Sequence, residues 1–213
     1  MLKQKYFIDI HKGFTPLFIF SLIFYYNQWN NVYAFLYLAL HGTYGLLWIT
    51  KSRIFPDKQW EQSTGVVYGL FIWMGLSLYW ISPFIIISGT SILPFNIKSS
   101  FIYFSICIAI YIIGVFLHFV SDMQKYVHLK LNPGNLIDNG MFARIRNTNY
   151  LGEFCIYLGF SLLALDWTPI IIIFLFMILI WIPNMNNKDK SLSRYSEFGD
   201  YNKRTSKIFP FIY

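Results

Sequence analysis

Residues 13–26, 32–50, 65–89, 101–121, 150–165 and 168–182 form six runs in which charge is almost absent and Ile, Leu, Phe and Tyr dominate. A bilayer core needs about 20 mostly apolar residues per helix, with a usable range of roughly 17–25. Hydrocarbon offers no partner to backbone N–H and C=O groups, so each run must close its hydrogen bonds internally as a helix. The pattern therefore predicts an all-α fold, a polytopic integral membrane protein of about six transmembrane helices. Only 13% of the 213 residues are charged, where a soluble domain carries roughly 25%. The length leaves room for one membrane domain, 1–213, and for no separate soluble one. Only Asp166 and Trp167 separate the last two runs, which are expected to form a helical hairpin. Pro169 then stands at a helix start, where its missing N–H costs nothing.

The positive charge has a consistent placement. With six spans, sixteen of the seventeen Lys and Arg fall on one side of the bilayer, and only Lys98 falls on the other. The positive-inside rule then sets both termini on the cytoplasmic or matrix side. The net charge of +7 is thereby accounted for by topology and attraction to anionic membrane lipids; no nucleic-acid partner is expected. Trp29, Trp60, Trp80, Trp167 and Trp181 are expected near span ends, where amphipathic rings favour the interface. No cleavable secretory signal is visible, and the weakly basic N-terminus, with Asp9, makes a poor mitochondrial presequence. The endoplasmic reticulum and the mitochondrial inner membrane both fit.

Polar groups gather in the C-terminal half. The stretch 122–149 is the longest polar segment between runs, with turn signals at Asn132-Pro133-Gly134 and Asp138-Asn139-Gly140. Within the runs as drawn, Glu153 is the single acidic residue, and an intramembrane carboxylate is a functional candidate because burying it without a partner costs several kcal/mol. Asn149 lies four residues earlier on the same helix face, and Arg146 is its natural charge partner. Lys125, Lys130, Arg144 and Arg146 are the residue types that hold the phosphates of a nucleotide. His11, His41, His118 and His128 show no metal-ligand spacing, so no metal is expected. A histidine satisfied by a neighbouring hydroxyl or carbonyl is the expectation for His41 and His118. Cys107 and Cys155 fall inside apolar runs and read as small hydrophobes. No phosphate-binding loop, dinucleotide fingerprint or nucleophile elbow occurs, so a bound cofactor would need a site built from helix ends.

The segments SDMQKY…GMFARIRNTNYLGE and DKSLSRYSEFGDY…FPFIY, with the weaker HGTYGLLWITKSRIFPDKQW, resemble the steroid 5α-reductase C-terminal-domain superfamily, and within it the DUF1295 branch. Isoprenylcysteine carboxyl methyltransferases and phospholipid methyltransferases are related. The resemblance implies a membrane fold with a cofactor site in residues 122–213. In the reductases the cofactor is NADPH, and a hydride goes to a carbon–carbon double bond conjugated to a ketone. In the methyltransferases it is S-adenosylmethionine. Matching reductase-like positions here are Asp122, Asn149, Tyr150, Gly152, Glu153 and, in the Ser193-Arg194-Tyr195 tail, Tyr195. Together with Lys125, Arg144, Arg146 and Arg194 these form the candidate cofactor-binding set.

The resemblance has gaps. The methyltransferase His-Pro pair is replaced by Asn147 and Thr148, and its paired glutamates fall on Lys188 and Asp189. The reductase His-Tyr pair falls on His41-Gly42, and no glutamate precedes Glu61. Tyr44, one helical turn from His41, is the one candidate for the missing catalytic acid. Three expectations follow. The first is an NADPH-dependent reductase of a lipophilic steroid or lipid enone, in active or degenerate form. The second is a non-catalytic subunit among other membrane subunits, with no cofactor. The third is an S-adenosylmethionine-dependent methyltransferase of a lipid or prenylcysteine.

Overall fold

The computed structural model of the chain describes residues 2–96 and 100–210; Lys98, the basic residue expected on the opposite side, lies outside them. Among the described residues the helices are α1 (Gln4–Tyr25), α2 (Val32–Ile54), α3 (Val66–Ser77), α4 (Ile81–Ser88), α5 (Phe101–Leu131), α6 (Thr148–Ser161), α7 (Trp167–Phe176), α8 (Ile182–Leu192) and α9 (Phe198–Arg204). A 3-10 turn, Leu78–Trp80, joins α3 to α4, and a π-helical turn, Met177–Trp181, joins α7 to α8. Five stretches are long and apolar enough to cross a membrane: Gln4–Tyr25, Val32–Ile54, Val66–Ser88, Phe101–Leu131 and Trp167–Leu192. The sixth expected run is also helical. It is α6, of 14 residues, followed by a 3-10 turn at Leu162–Ala164, and it is the shortest of the set. The chain is an all-α membrane protein.

The helices outrun the apolar runs at several ends. α1 begins at Gln4 rather than at 13, and α5 continues ten residues past 121. Lys, Gln and Leu are good helix formers, so a helix need not stop where its hydrophobicity does. α5 has 31 residues, about 46 Å at 1.5 Å per residue, against a hydrocarbon core of about 30 Å; its polar last turns therefore project. This corrects the reading of Glu153 as the single acid within a span, because Asp9 lies in α1 and Asp122 in α5. Lys12, Lys51, Lys125 and Lys130 likewise sit in helices rather than loops. Trp80 and Trp181 are not at helix ends. Trp80 lies inside Val66–Ser88, stacked on Phe18 with centroids 4.1 Å apart and donating to Thr15 Oγ1 at 3.0 Å; Trp181 is buried inside Trp167–Leu192. The Trp80 ring fills a packing gap instead of marking the interface, whereas Trp181, two residues before the apolar stretch ends at Pro183, stands near a span end as expected with its ring buried.

The chain divides into two compact units, Met1–Tyr111 with Leu158–Ile172, and Ile112–Tyr157 with Ile173–Tyr213. In the first, α1 and α2 reverse at Asn27, whose φ of 52° suits asparagine. Asn31 then caps α2, its Oδ1 accepting from the Tyr33 and Ala34 amides. A short antiparallel ribbon pairs Leu2–Lys3 with Ser63–Thr64. Beside it Lys3 and Lys5 both pair with Glu61. The hydrogen bond from Lys3 holds the Glu61 carboxyl below its usual range, and the same bond raises the Lys3 ammonium.

Asp166 organises the other end of this unit. It is fully buried. Its Oδ2 accepts from Ser91 Oγ at 2.8 Å and from the Ile92 and Leu93 amides at 2.7 and 2.9 Å, while Oδ1 accepts the Thr168 amide at 2.8 Å, capping α7. Burial alone would raise its pKa. Hydrogen bonds from Thr168, Ser91 and Leu93 overcome that and hold it down to about 2. A folded-state pKa below the unfolded value of about 3.9 means the stabilisation is complete above that pH and is lost as pH falls toward 2. Its size is roughly 2 kcal/mol. Asp166→Ala should lower stability by about 2–3 kcal/mol near neutral pH. The variant should also lose the wild-type fall in melting temperature between about pH 4 and 2; a parallel fall in both proteins would refute this assignment.

Candidate functional site

In the second unit, His118, Asp122 and Lys125 occupy one face of α5 at the i, i+4, i+7 spacing of neighbouring helical turns. Their partner is the start of α6. Gly152 makes the approach possible: a Cβ there would stand 2.3 Å from the His118 amide nitrogen and 2.8 Å from the Gly114 carbonyl oxygen. Reciprocally, a Cβ on Gly114 would meet the Ile156 nitrogen at 2.6 Å and the Gly152 oxygen at 2.7 Å. The two backbones thus touch directly, and polar side chains one turn away are drawn together.

His118 is buried, and its Nδ1 lies 3.1 Å from the Asn149 carbonyl oxygen. A carbonyl only accepts, so Nδ1 carries the proton and Nε2 faces Asp122, 3.8 Å from Oδ2. Asp122 is 3% exposed, and its Oδ1 lies 3.6 Å from the Lys125 ammonium. The Asn149 side-chain oxygen is buried and accepts no hydrogen bond from any described residue. The structure therefore brings together Asp122, Lys125, Asn149 and Gly152 of the candidate set and adds His118, which satisfies the expectation of a carbonyl partner. His41 does the same in the first unit, with the Tyr37 hydroxyl 3.0 Å away.

The loop before α6 is pinned to this unit. Gln124 donates to Asn139 and accepts the Met141 amide. The Thr148 hydroxyl lies within reach of two carbonyls, Met141 at 2.5 Å and Ile145 at 2.9 Å, and donates its one proton between them, and the Tyr201 hydroxyl donates to the Phe142 carbonyl. Burial pushes the Tyr201 hydroxyl pKa up, so it stays a donor.

Arg146 does not pair with Glu153. The 144–147 segment runs beside the tail as a short parallel bridge, Ile145 opposite Ser206. That register sends the guanidinium to the tail. Nη1 reaches the Thr205 carbonyl at 2.5 Å, the Thr205 hydroxyl at 3.0 Å and the Asn202 carbonyl at 3.2 Å. Nε and Nη2 each meet Asp189 at 3.4 Å. Lys207 shares that carboxylate at 3.4 Å and donates to Asn186 Oδ1 at 2.6 Å. Arginine has five N–H donors, and here nearly all are engaged within the chain.

The remaining candidates are dispersed. Tyr150 sits with its ring centroid 5.9 Å from that of Trp181. Glu153 is half-buried on α6, one turn beyond Asn149. Arg144 is exposed, and its guanidinium has no partner among the described residues. Arg194 is exposed and stacks on Tyr195. Tyr44, in the first unit, is fully buried with the Lys12 ammonium 4.1 Å from its ring centroid. The same ammonium lies 4.4 Å from the Trp48 ring, and the Lys51 ammonium lies 4.7 Å from it. Sequence reasoning missed that cage because it placed both lysines in loops. It missed His118 as a partner of Asp122 because it ended α5 at 121.

The acceptors of this cluster suit a ligand's hydroxyl or amide protons better than a bare phosphate. Asn149 Oδ1 and the Asp122 carboxylate are acceptors for hydroxyl or amide protons, whereas Lys125 already faces a carboxylate. A family model described as protein of unknown function (DUF1295) matches residues 2–205. No curated protein and no solved structure matches the chain.

Proposed function

The chain belongs to the DUF1295 family, and from that premise we propose that it is a membrane-embedded, NADPH-dependent reductase-like protein acting on a steroid or lipid enone. The observation that carries this reading is the buried His118–Asp122–Asn149 cluster, with an Asn149 side-chain oxygen that accepts no hydrogen bond from any described residue. Polar groups inside a membrane protein are costly and mark functional sites by default. NADPH, when bound, supplies a hydride. Asp122 and Asn149 would accept hydrogen bonds from its ribose or carboxamide. His118 fixes Asn149 through its carbonyl. The exposed Arg144 guanidinium would answer phosphate, and Gly152 keeps the two helices close enough for the cluster to exist.

The test is ligand-dependent thermal stability of the detergent-purified protein. NADPH at about 100 times its Kd should stabilise by about 2.7 kcal/mol. Asp122→Asn should weaken NADPH at least tenfold, about 1.4 kcal/mol, with the unliganded melting temperature nearly kept. Stabilisation by S-adenosylmethionine alone would move the reading to a methyltransferase. A response to neither ligand would leave the non-catalytic membrane subunit as the surviving reading.

A further inference from the structure

The tail clamp encloses a partly open cavity of about 530 Å³, lined by Arg146, Asp189, Phe198, Asn202, Lys207, Ile208 and Phe209. Its size lies within the range of small-molecule sites. Two of its walls differ in chemistry. One carries Arg146, Lys207 and Asp189; the other is aromatic and aliphatic. Arg146 and Lys207 share a single carboxylate, and each contact to it is 3.4 Å, longer than the 2.7–2.9 Å of a close charge-assisted pair. The cavity therefore retains about one unneutralised positive charge. Donors remain for a ligand. Lys207 has a third ammonium proton beyond Asn186 and Asp189. The Asn202 carboxamide has no partner among the described residues.

Depth supplies the second argument. The apolar part of the helix Trp167–Leu192 ends at Pro183. Asp189 is six residues further along, about 9 Å at 1.5 Å per residue. The polar layer on each face of a bilayer is roughly 5–8 Å thick. The cationic wall is thus at the outer edge of the headgroup layer, with Phe198, Ile208 and Phe209 beside it.

We propose that this cavity binds the phosphodiester of an anionic phospholipid, with Lys207 and Asn202 donating to the phosphate beside the positive charge of Arg146, and Phe198, Ile208 and Phe209 against the adjoining glycerol and acyl carbons. The site is independent of the Asp122–Asn149 cluster and takes a monoanionic amphiphile in place of a polyanionic nucleotide.

The experiment titrates dioctanoyl-phosphatidylglycerol, dioctanoyl-phosphatidylcholine, inorganic phosphate and NADPH into the detergent-purified full chain and reads the melting temperature. Phosphatidylglycerol should raise it by several degrees, well beyond the other lipid or phosphate. Lys207→Gln should weaken phosphatidylglycerol about fivefold, the effect of one cation near a membrane surface. Phe198→Ala, which leaves the ion pairs untouched, should weaken it as well and serves if Lys207→Gln does not fold. Equal shifts with the two lipids, an equal shift with inorganic phosphate, or an unchanged response in both variants would overturn the proposal. So would NADPH displacing phosphatidylglycerol, which would assign the cavity to the cofactor. Failure of the NADPH reading itself is read separately, from Asp122→Asn.

Discussion

Arg146→Met is expected to release the C-terminal tail and to cost about 3–5 kcal/mol, the range for removing one partner of a buried pair. The side chain is 7% exposed, and its loss strands Asp189 with only Lys207 while freeing the Thr205 and Asn202 carbonyls. At 2–4 °C per kcal/mol for a chain of this size, the melting temperature should fall by roughly 10 °C. Trypsin should then cut early at Lys203, Arg204 and Lys207. The double variant Arg146→Met/Asp189→Leu should recover part of the loss, because it removes the unpaired charge as well. Arg204→Ala breaks an exposed pair with Asp138 and should cost less than about 1 kcal/mol. Equal effects from Arg146→Met and Arg204→Ala would show that the clamp is a surface feature.

Hydrophobic runs revealed the membrane class because a helix in lipid has no other way to satisfy its backbone. The turn at Asp166 and the helix start near Pro169 were legible for a similar local reason, since Asp, Thr and Pro have position-specific roles at helix starts. Helix ends were not legible from hydropathy. Gln4–Lys12 and Asp122–Leu131 are polar yet helical, and drawing the spans short moved Asp9, Lys12 and Asp122 out of the helices that hold them. The candidate site suffered from the same error. Asp122 and Asn149 were named, but His118 was not joined to them, although its spacing from Asp122 is one helical turn. The partner of Arg146 could not be read at all. Asp189 is 43 residues away, and the pairing depends on the tail register at Ser206, which no local pattern encodes.

Gly152→Ala should be the most informative single methyl group added to this protein. The new Cβ would stand 2.3 Å from one backbone nitrogen and 2.8 Å from a carbonyl oxygen, and neither belongs to a side chain that can rotate away. α5 and α6 would have to separate locally. Overpacking of this kind costs about 1–3 kcal/mol, and the backbone contact argues for the upper end. Gly114→Ala strikes the same crossing from the other helix, so the two losses should not add. Gly199→Ala, in α9 with nothing within 4 Å, is the control and should be neutral or stabilising by up to about 1 kcal/mol. The second readout decides what the crossing is for. If it serves only packing, Gly152→Ala lowers the melting temperature and leaves the NADPH-induced shift intact. If it also positions the polar cluster, separation moves His118 away from the Asn149 carbonyl, and the NADPH-induced shift should disappear together with the loss of stability.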